Sequence, residues 1–273
     1  MSSARLDVEL VRRGLARSRG TADEMIRGGR VVVEGREATK ASAKVTAQTQ
    51  IDVLPGEHPD YVGRGALKLE GLLDDLAPGP AVVGRRCLDA GASTGGFTEV
   101  LLSRGASEVL AVDVGQDQLA PRLRADPRVR DLPGTTVRGL NGDQVGGRVD
   151  LLVADLSFIS LQVVMPDLSG LVHPGGDLLL LVKPQFEVGR ERLGSGGVVR
   201  DHALRAQAVQ QVARAGLAAG LLVRAVRASR WPGPSGNVEY FVWLSVDDGT
   251  PVDALTDEQL ADATQRAVEE GPS

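Results

Sequence analysis

Three ionisable residues stand where apolar strands begin or end, and a fourth lies in the helix that opens the larger domain. Asp155 closes Val149-Asp-Leu-Leu-Val-Ala-Asp155, and Lys183 closes Asp177-Leu-Leu-Leu-Leu-Val-Lys183 just before Pro184. Glu239 follows the loop Pro232-Gly-Pro-Ser-Gly236 at the start of a last apolar segment, and Lys68 lies in Arg64-Gly-Ala-Leu-Lys-Leu-Glu-Gly-Leu-Leu73. Ligands of an open α/β sheet bind beyond the carboxyl ends of its strands, so Asp155 and Lys183 are expected to face one crevice. Glu239 would reach it from the last strand and Lys68 from the opening helix. Two amines with two carboxylates suit removal of a proton from a poor acid such as a sugar hydroxyl. A lysine can act as that base when burial or a second ammonium lowers its pKa. Lys183 beside Lys68 would supply this, with Asp155 and Glu239 balancing charge and orienting the amines as one coupled set. The competing reading is a group of separate surface salt bridges. Lys183 speaks against it, because it follows five straight apolar residues and precedes a proline.

The elements that must position these groups are organised around Cys87-Leu-Asp-Ala-Gly-Ala-Ser-Thr-Gly-Gly-Phe-Thr98. It reads as the end of a buried strand, a tight turn and the start of a helix continued by Val100, Leu101 and Leu102. Gly91, Gly95 and Gly96 are expected to let the backbone pass close to a ligand, which a Cβ would block. That ligand would meet backbone N–H groups and the positive end of a helix. Val109-Leu-Ala-Val-Asp113 is a second buried strand ending in an acid suited to two ribose hydroxyls. The dinucleotide fingerprint needs a glycine two places after Gly91, where Ser93 stands. The loop looks more like a site for S-adenosylmethionine (SAM), with Asp89, Gly91, Ser93, Gly95, Gly96, Phe97, Asp113 and Asp155 as its candidate contacts. A strand–turn–helix with purely structural glycines is the alternative. Methyl transfer is an in-line displacement at carbon that needs a held nucleophile and removal of its proton, which is the work the lysine set could do.

The chain has 273 residues, enough for one large domain and a small one, with 42% hydrophobic residues and a net charge of about −5. That sum taken alone argues against a nucleic-acid binder, but distribution matters more. The single cysteine, Cys87, allows no disulfide within the chain and reads as a small buried hydrophobe of a protein from a reducing cytoplasm. No run approaches the length of a membrane span. From Val82 onward strands and helices alternate, which implies a mostly parallel sheet covered on both faces. Leu221–Val226 and Val238–Val246 are expected to close it as an antiparallel pair, and Asp253–Glu270 as a terminal helix. Leu67, Leu72 and Leu73 should form the inner face of the opening helix.

The first 45 residues carry ten basic and six acidic side chains, an excess of four positive charges in an acidic chain. Leu6, Leu10 and Val11 mark one helix, and Ser18 could cap a second with Ala22, Met25 and Ile26 inside. Arg30–Gly35 and Thr49–Leu54 read as strands. Such a local excess suits a phosphate backbone, whereas the bland reading is a solvated helical face.

Order resolves that choice. Arg5-Leu-Asp-x-x-Leu-Val-x-x-Gly-x-x-x-Ser-Arg19, followed by Ile26, Gly29, Val31, Val33 and Gly35, resembles the S4 RNA-binding domain. Asp89–Thr98, Ala154-Asp-Leu-Ser-Phe-Ile-Ser160, Leu181-Val-Lys-Pro-Gln-Phe-Glu187 and Gly233-Pro-Ser-Gly-Asn-Val-Glu-Tyr-Phe241 resemble the TlyA (hemolysin A) family. The resemblance implies a small α+β S4 domain (1–58), a linker (59–65) and an FtsJ-like, Rossmann-like methyltransferase domain (66–273) with a mostly parallel seven-stranded sheet. It implies SAM-dependent methylation of cytidine 2′-hydroxyls in 23S and, for longer members such as this chain, 16S ribosomal RNA. It also implies an influence on susceptibility to ribosome-targeting cyclic peptide antibiotics. The family's Lys-Asp-Lys-Glu tetrad falls on Lys68, Asp155, Lys183 and Glu239. Arg5, Arg17, Arg19 and Lys40 would lie on the RNA face, where shape and phosphate are read; Arg64 and Arg138 are further candidates. No metal is expected, and the partners would be ribosomal RNA or ribosomal subunits, with a monomer favoured. A membrane-active cytolysin would need an exposed apolar helix or an alternating hairpin, and neither is present in the sequence. A ribosome-binding factor with a dead methyltransferase fold would not need the intact loop and all four tetrad residues.

Overall fold

The computed structural model describes residues 3–16, 18–55, 60–233 and 235–272. The chain divides into two compact units, Met1–Asp60 and Tyr61–Ser273. Of the expected linker, Asp60 belongs to the first unit and Tyr61–Gly65 to the second; Pro59 lies outside the described residues.

The first unit runs β1 (Ala4–Arg5), α1 (Leu6–Arg12), α2 (Arg19–Arg27), β2 (Val31–Val33), β3 (Arg36–Glu37), β4 (Lys44–Val45) and β5 (Ile51–Val53). Its core is Leu6, Leu10, Ala22, Met25, Ile26, Val31, Val45 and Ile51, with Val11 only partly buried. Ser18 caps α2 by accepting the Thr21 amide. Glu34 and Gly35, both at positive φ, turn β2 into β3 as a two-residue hairpin. The two-residue strands β1, β3 and β4 were not anticipated, because alternation cannot show in so short a segment.

The second unit continues with α3 (Gly65–Asp75), β6 (Arg86–Ala90), α4 (Gly96–Ser103), β7 (Glu108–Asp113), α5 (Pro121–Arg124), β8 (Val129–Pro133), α6 (Gly142–Val145) and β9 (Val149–Ala154). Then come α7 (Leu161–Gly170), β10 (Val172–Val182), α8 (Pro184–Glu187), α9 (His202–Ala218), β11 (Leu221–Ala228), β12 (Tyr240–Val246) and α10 (Asp257–Glu270). The sheet order is β11-β12-β10-β9-β6-β7-β8. β12 is antiparallel to both its neighbours, and the other pairs are parallel. This is the expected mostly parallel seven-stranded sheet. β8 escaped the sequence reading because its charges and Pro133 disguise it; as an edge strand it tolerates both.

Alternate residues of the central strands feed two apolar layers. Leu88, Leu110, Leu152, Leu178 and Leu180 pack under α7, α9 and α10. Cys87, Val109, Leu151, Leu179 and Phe241 pack under α3 and α4. Burial on both faces explains the unbroken apolar runs. Burial also pushes the Cys87 thiol up to about 12, so it is a packing residue without thiolate chemistry. In α3 the inner face is Ala66, Leu69, Leu72 and Leu73, with Leu67 only partly buried and Lys68 turned inside. Among the described residues no helix is long and apolar enough to cross a membrane.

Candidate active site

The strand order reverses at β6: β7 and β8 are added on one side, β9 and β10 on the other. The crevice beyond the carboxyl ends of β6 and β9 is therefore where a ligand has room. Asp155 follows β9, and its amide donates to Ala90 O of β6 at 2.9 Å, so the carboxylate stands at that reversal. Lys183 follows β10. Val182 lies opposite Tyr240, which sets Glu239 beside Lys183 across the strand ends.

The four residues form two ion pairs. Lys183 Nζ lies 2.6 Å from Asp155 Oδ1 and donates to Ser157 Oγ at 2.8 Å. The contact with Asp155 is a charge pair set off the hydrogen-bond direction, since that oxygen has no hydrogen-bond partner. Lys68 Nζ donates to Glu239 Oε2 at 2.6 Å, with Lys68 7% and Glu239 1% exposed. Glu239 Oε1 is buried without a partner.

Surrounding bonds hold this arrangement. Glu187, at the end of α8, accepts from Ser160 Oγ, the Leu161 amide and Gln162 Nε2, which ties the loop after Asp155 to the turn after Lys183. Buried Asn237 accepts the Val199 amide and donates to Gly197 O, and Ser229 N donates to Glu239 O. A Cβ at Gly233 would strike Glu239 Oε1.

The glycine loop is present, and its glycines also answer to a packing constraint. A Cβ on Gly91, at φ +86°, would lie 2.6 Å from Asp155 O; one on Gly95 would strike Leu123 and Leu119; one on Gly96 would lie 2.9 Å from Ala66 N. Each glycine makes room for neighbouring protein, so that β9, α5 and α3 can close round the loop. Ser93 also sits at positive φ, and its amide donates to Asp113 Oδ2 at 2.8 Å, while Gly115 N donates to Oδ1. Asp113 thus pins the loop and keeps lone pairs for further donors. The Phe97 ring is turned away into the core, stacked on Phe241 with centroids 6.2 Å apart, and offers a ligand only its backbone.

Asp89 lies fully buried beneath the loop. Its Oδ2 accepts the amide and hydroxyl of Thr98, at 2.8 and 2.7 Å, and its Oδ1 has no partner. Burial pushes this carboxyl up to about 7 from an ordinary 3.8, against the Thr98 hydroxyl bond and with help from Asp155. The folded chain then holds a proton that the unfolded chain releases. The resulting stabilisation is full below about pH 3.8 and is lost as pH rises to about 7. Asp89→Asn keeps an acceptor for Thr98 and removes the buried charge. Its melting temperature at pH 8 is expected to exceed that of the parent by several degrees, a few kcal/mol, with the gap closing by pH 5. A lower value at pH 8 would show that the carboxylate is needed.

Two residues at the crevice were not anticipated. Ser157 holds Lys183, and Phe158 is 91% exposed at φ +64°, its ring 5.2 Å from that of Phe186. The signal was available: the chain has four phenylalanines, and this one stands three residues after a catalytic candidate. Among the basic candidates, Arg5 and Arg19 are both bonded to Asp7, and Lys40 is exposed. Arg64, at the start of α3, and Arg138, beyond β8, are exposed. Arg17 lies outside the described residues.

The family models match this division. The FtsJ-like methyltransferase model covers residues 61–246 and the S4 domain model residues 4–51. The chain is 54% identical to the 16S/23S rRNA (cytidine-2′-O)-methyltransferase TlyA of Mycobacterium tuberculosis over 98% of each chain. It is 33% identical to Hemolysin A of Brachyspira hyodysenteriae over 86% of this chain and 97% of that one. A solved structure from Streptococcus thermophilus, described as a candidate hemolysin, aligns with TM-score 0.74 and 34% identity over 99% of this chain and 97% of that one. With the switch-point crevice, the two lysine–carboxylate pairs, the two domain models in order along the sequence and 54% identity over 98% of the chain, the chain is a methyltransferase and belongs to the TlyA family, in which an S4 domain is joined to an FtsJ-like methyltransferase domain.

Proposed function

We propose that this methyltransferase takes its methyl group from SAM and places it on cytidine 2′-hydroxyls of large-subunit and also small-subunit ribosomal RNA, with Lys183 as the base. The observation that carries the reading is Lys183 Nζ, held by Asp155 and Ser157 at the end of β10, beside the reversal in strand order. The names of relatives such as the tuberculosis protein supply the substrate class.

The residues of the crevice fit SAM. Asp89 Oδ1 is a buried acceptor with no protein donor, and Asp113 keeps capacity for two hydroxyls. The N-cap of α4, Gly95, has no side chain to cap with and Asp89 takes only the Thr98 amide, so the Gly96 and Phe97 amides can meet a carboxylate. When bound, SAM supplies a methyl carbon made electrophilic by its sulfonium. Lys183, once its ammonium has released a proton to solvent, takes the proton from the 2′-oxygen as that oxygen becomes a nucleophile. Asp155 and Ser157 hold the amine in place. Lys68 and Glu239 form the neutral floor that keeps a second charge of either sign from standing bare in the crevice. Phe158, backed by Phe186, offers an apolar face on which the base of the target nucleotide can stack once it leaves its helix. The domain limits of 1–58 and 66–273 belong to the same reading, with RNA held by the first and modified by the second. The modified riboses would alter drug contacts on the ribosome, which is the route to cyclic-peptide susceptibility.

The test is transfer of a labelled methyl from SAM to separated ribosomal subunits, followed by mapping of the modified ribose. Label on cytidine 2′-oxygens is the expected result. Label on base atoms, or on protein alone, overturns the reading.

A further inference from the structure

An acid on an RNA-facing surface is normally a liability, because it repels phosphate. Asp7, in the first turn of α1, is 3% exposed and sits in the middle of a basic group. Arg5 Nε and Nη2 donate to its two oxygens at 2.9 and 3.1 Å. Arg19 Nε and Nη2 both donate to Oδ2, at 3.0 and 2.9 Å. The Val8 amide completes the set at Oδ1. The Arg5 and Arg19 side chains nevertheless keep 42% and 61% of their surface open to solvent. Each guanidinium spends one edge on the carboxylate, which leaves the other edge, built from its Nη atoms, pointing outward. Lys44 lies directly opposite Arg5 across β1 and β4, a like-charge pair that would repel without an acid close by.

The neighbouring acid behaves differently. Glu9 holds Arg12 and Arg13, but Arg13 is turned inward onto the carbonyls of Thr46, Ala47 and Thr49, so that cluster fastens α1 to the loop after β4. Of these two clusters, the one round Asp7 aims both of its guanidiniums at solvent.

We infer that Asp7 is a positioning residue for RNA: it locks Arg5 and Arg19 into a rigid two-armed receptor for backbone phosphates, with Lys44 as a third cation. The inference rests on the reading of this unit as the RNA-holding one. Phosphate recognition by a planar fork depends on geometry as well as charge, and a guanidinium held in advance loses less freedom on binding.

The experiment uses the full chain and purified large ribosomal subunits, with affinity measured across a salt series. Arg5→Ala and Arg19→Ala are each expected to weaken binding about tenfold or more at fixed salt. Arg5→Lys and Arg19→Lys keep the charge but lose the fork, and should recover less than half of that loss. Asp7→Asn raises the local positive charge by one, yet is expected to weaken binding about three- to tenfold, raising KM for the subunit and leaving kcat at saturating subunit unchanged. If Asp7→Asn binds as tightly or tighter, with a salt slope steeper by about one, Asp7 merely dilutes charge and the inference is wrong. If both alanine variants bind like the parent, the RNA-face reading itself has failed. Should Asp7→Asn not fold, the lysine variants decide, and parent-like affinity in both of them overturns the clamp.

Discussion

Lys183→Ala is expected to slow single-turnover methyl transfer by about a thousandfold, within the range a positioned base contributes, while calorimetric SAM binding stays within about threefold of the parent. The amine is paired with Asp155 and bonded to Ser157, and no other described amine is recorded on those partners. The informative companion is Lys183→Arg. It preserves the positive charge opposite Asp155, so it separates two roles that alanine confounds. A guanidinium keeps its proton at any physiological pH. If Lys183 removes the 2′-proton, the arginine variant fails as badly as alanine. If Lys183 only neutralises Asp155, the arginine variant retains most of the rate, and the proposed base is some other group.

The second large effect is on stability. Lys68→Met leaves the Glu239 carboxylate buried at 1% exposure without its cation. Removing one partner of a buried ion pair costs about 3–5 kcal/mol. For a unit of this size that corresponds to roughly 10 °C in melting temperature at neutral pH. Replacing both members, Lys68→Met with Glu239→Leu, removes the stranded charge and should restore most of the lost stability without restoring transfer. A single Lys68→Met that melts like the parent would mean that water reaches Glu239 and that the pair is not a sealed floor.

Much of this was readable from the sequence because burial and strand ends leave plain marks. The runs before Asp155 and Lys183 are apolar on both faces of the sheet, and a charged residue closing such a run has nowhere to project but the crevice. The order of glycine loop and distal acid marked the reversal point. The elements that stayed hidden are those whose pattern is too short or too mixed: β1, β3 and β4 with two residues each, the four-residue helices α5, α6 and α8, α7 with Pro166 inside it, and β8 with its proline and charges. The glycines of the loop have a packing role that the sequence does not display. A sequence records that a Cβ is intolerable at Gly91 and Gly95, and the structure adds that Asp155 O, Leu119 and Leu123 stand in the way. Phe97 was drawn into the site by its neighbours in sequence, although its helical phase turns it to Phe241. Asp7 was counted as one charge against the basic total, whereas its burial makes it part of the cationic device.

The Lys68–Glu239 bond joins positions 171 apart along the chain. During synthesis the lysine leaves the ribosome long before its acid has been made, so any copy cut short ahead of β12 carries a stranded ammonium and an open floor. The ion pair is therefore among the last contacts that a growing chain can make, and it forms only when β12 joins the sheet.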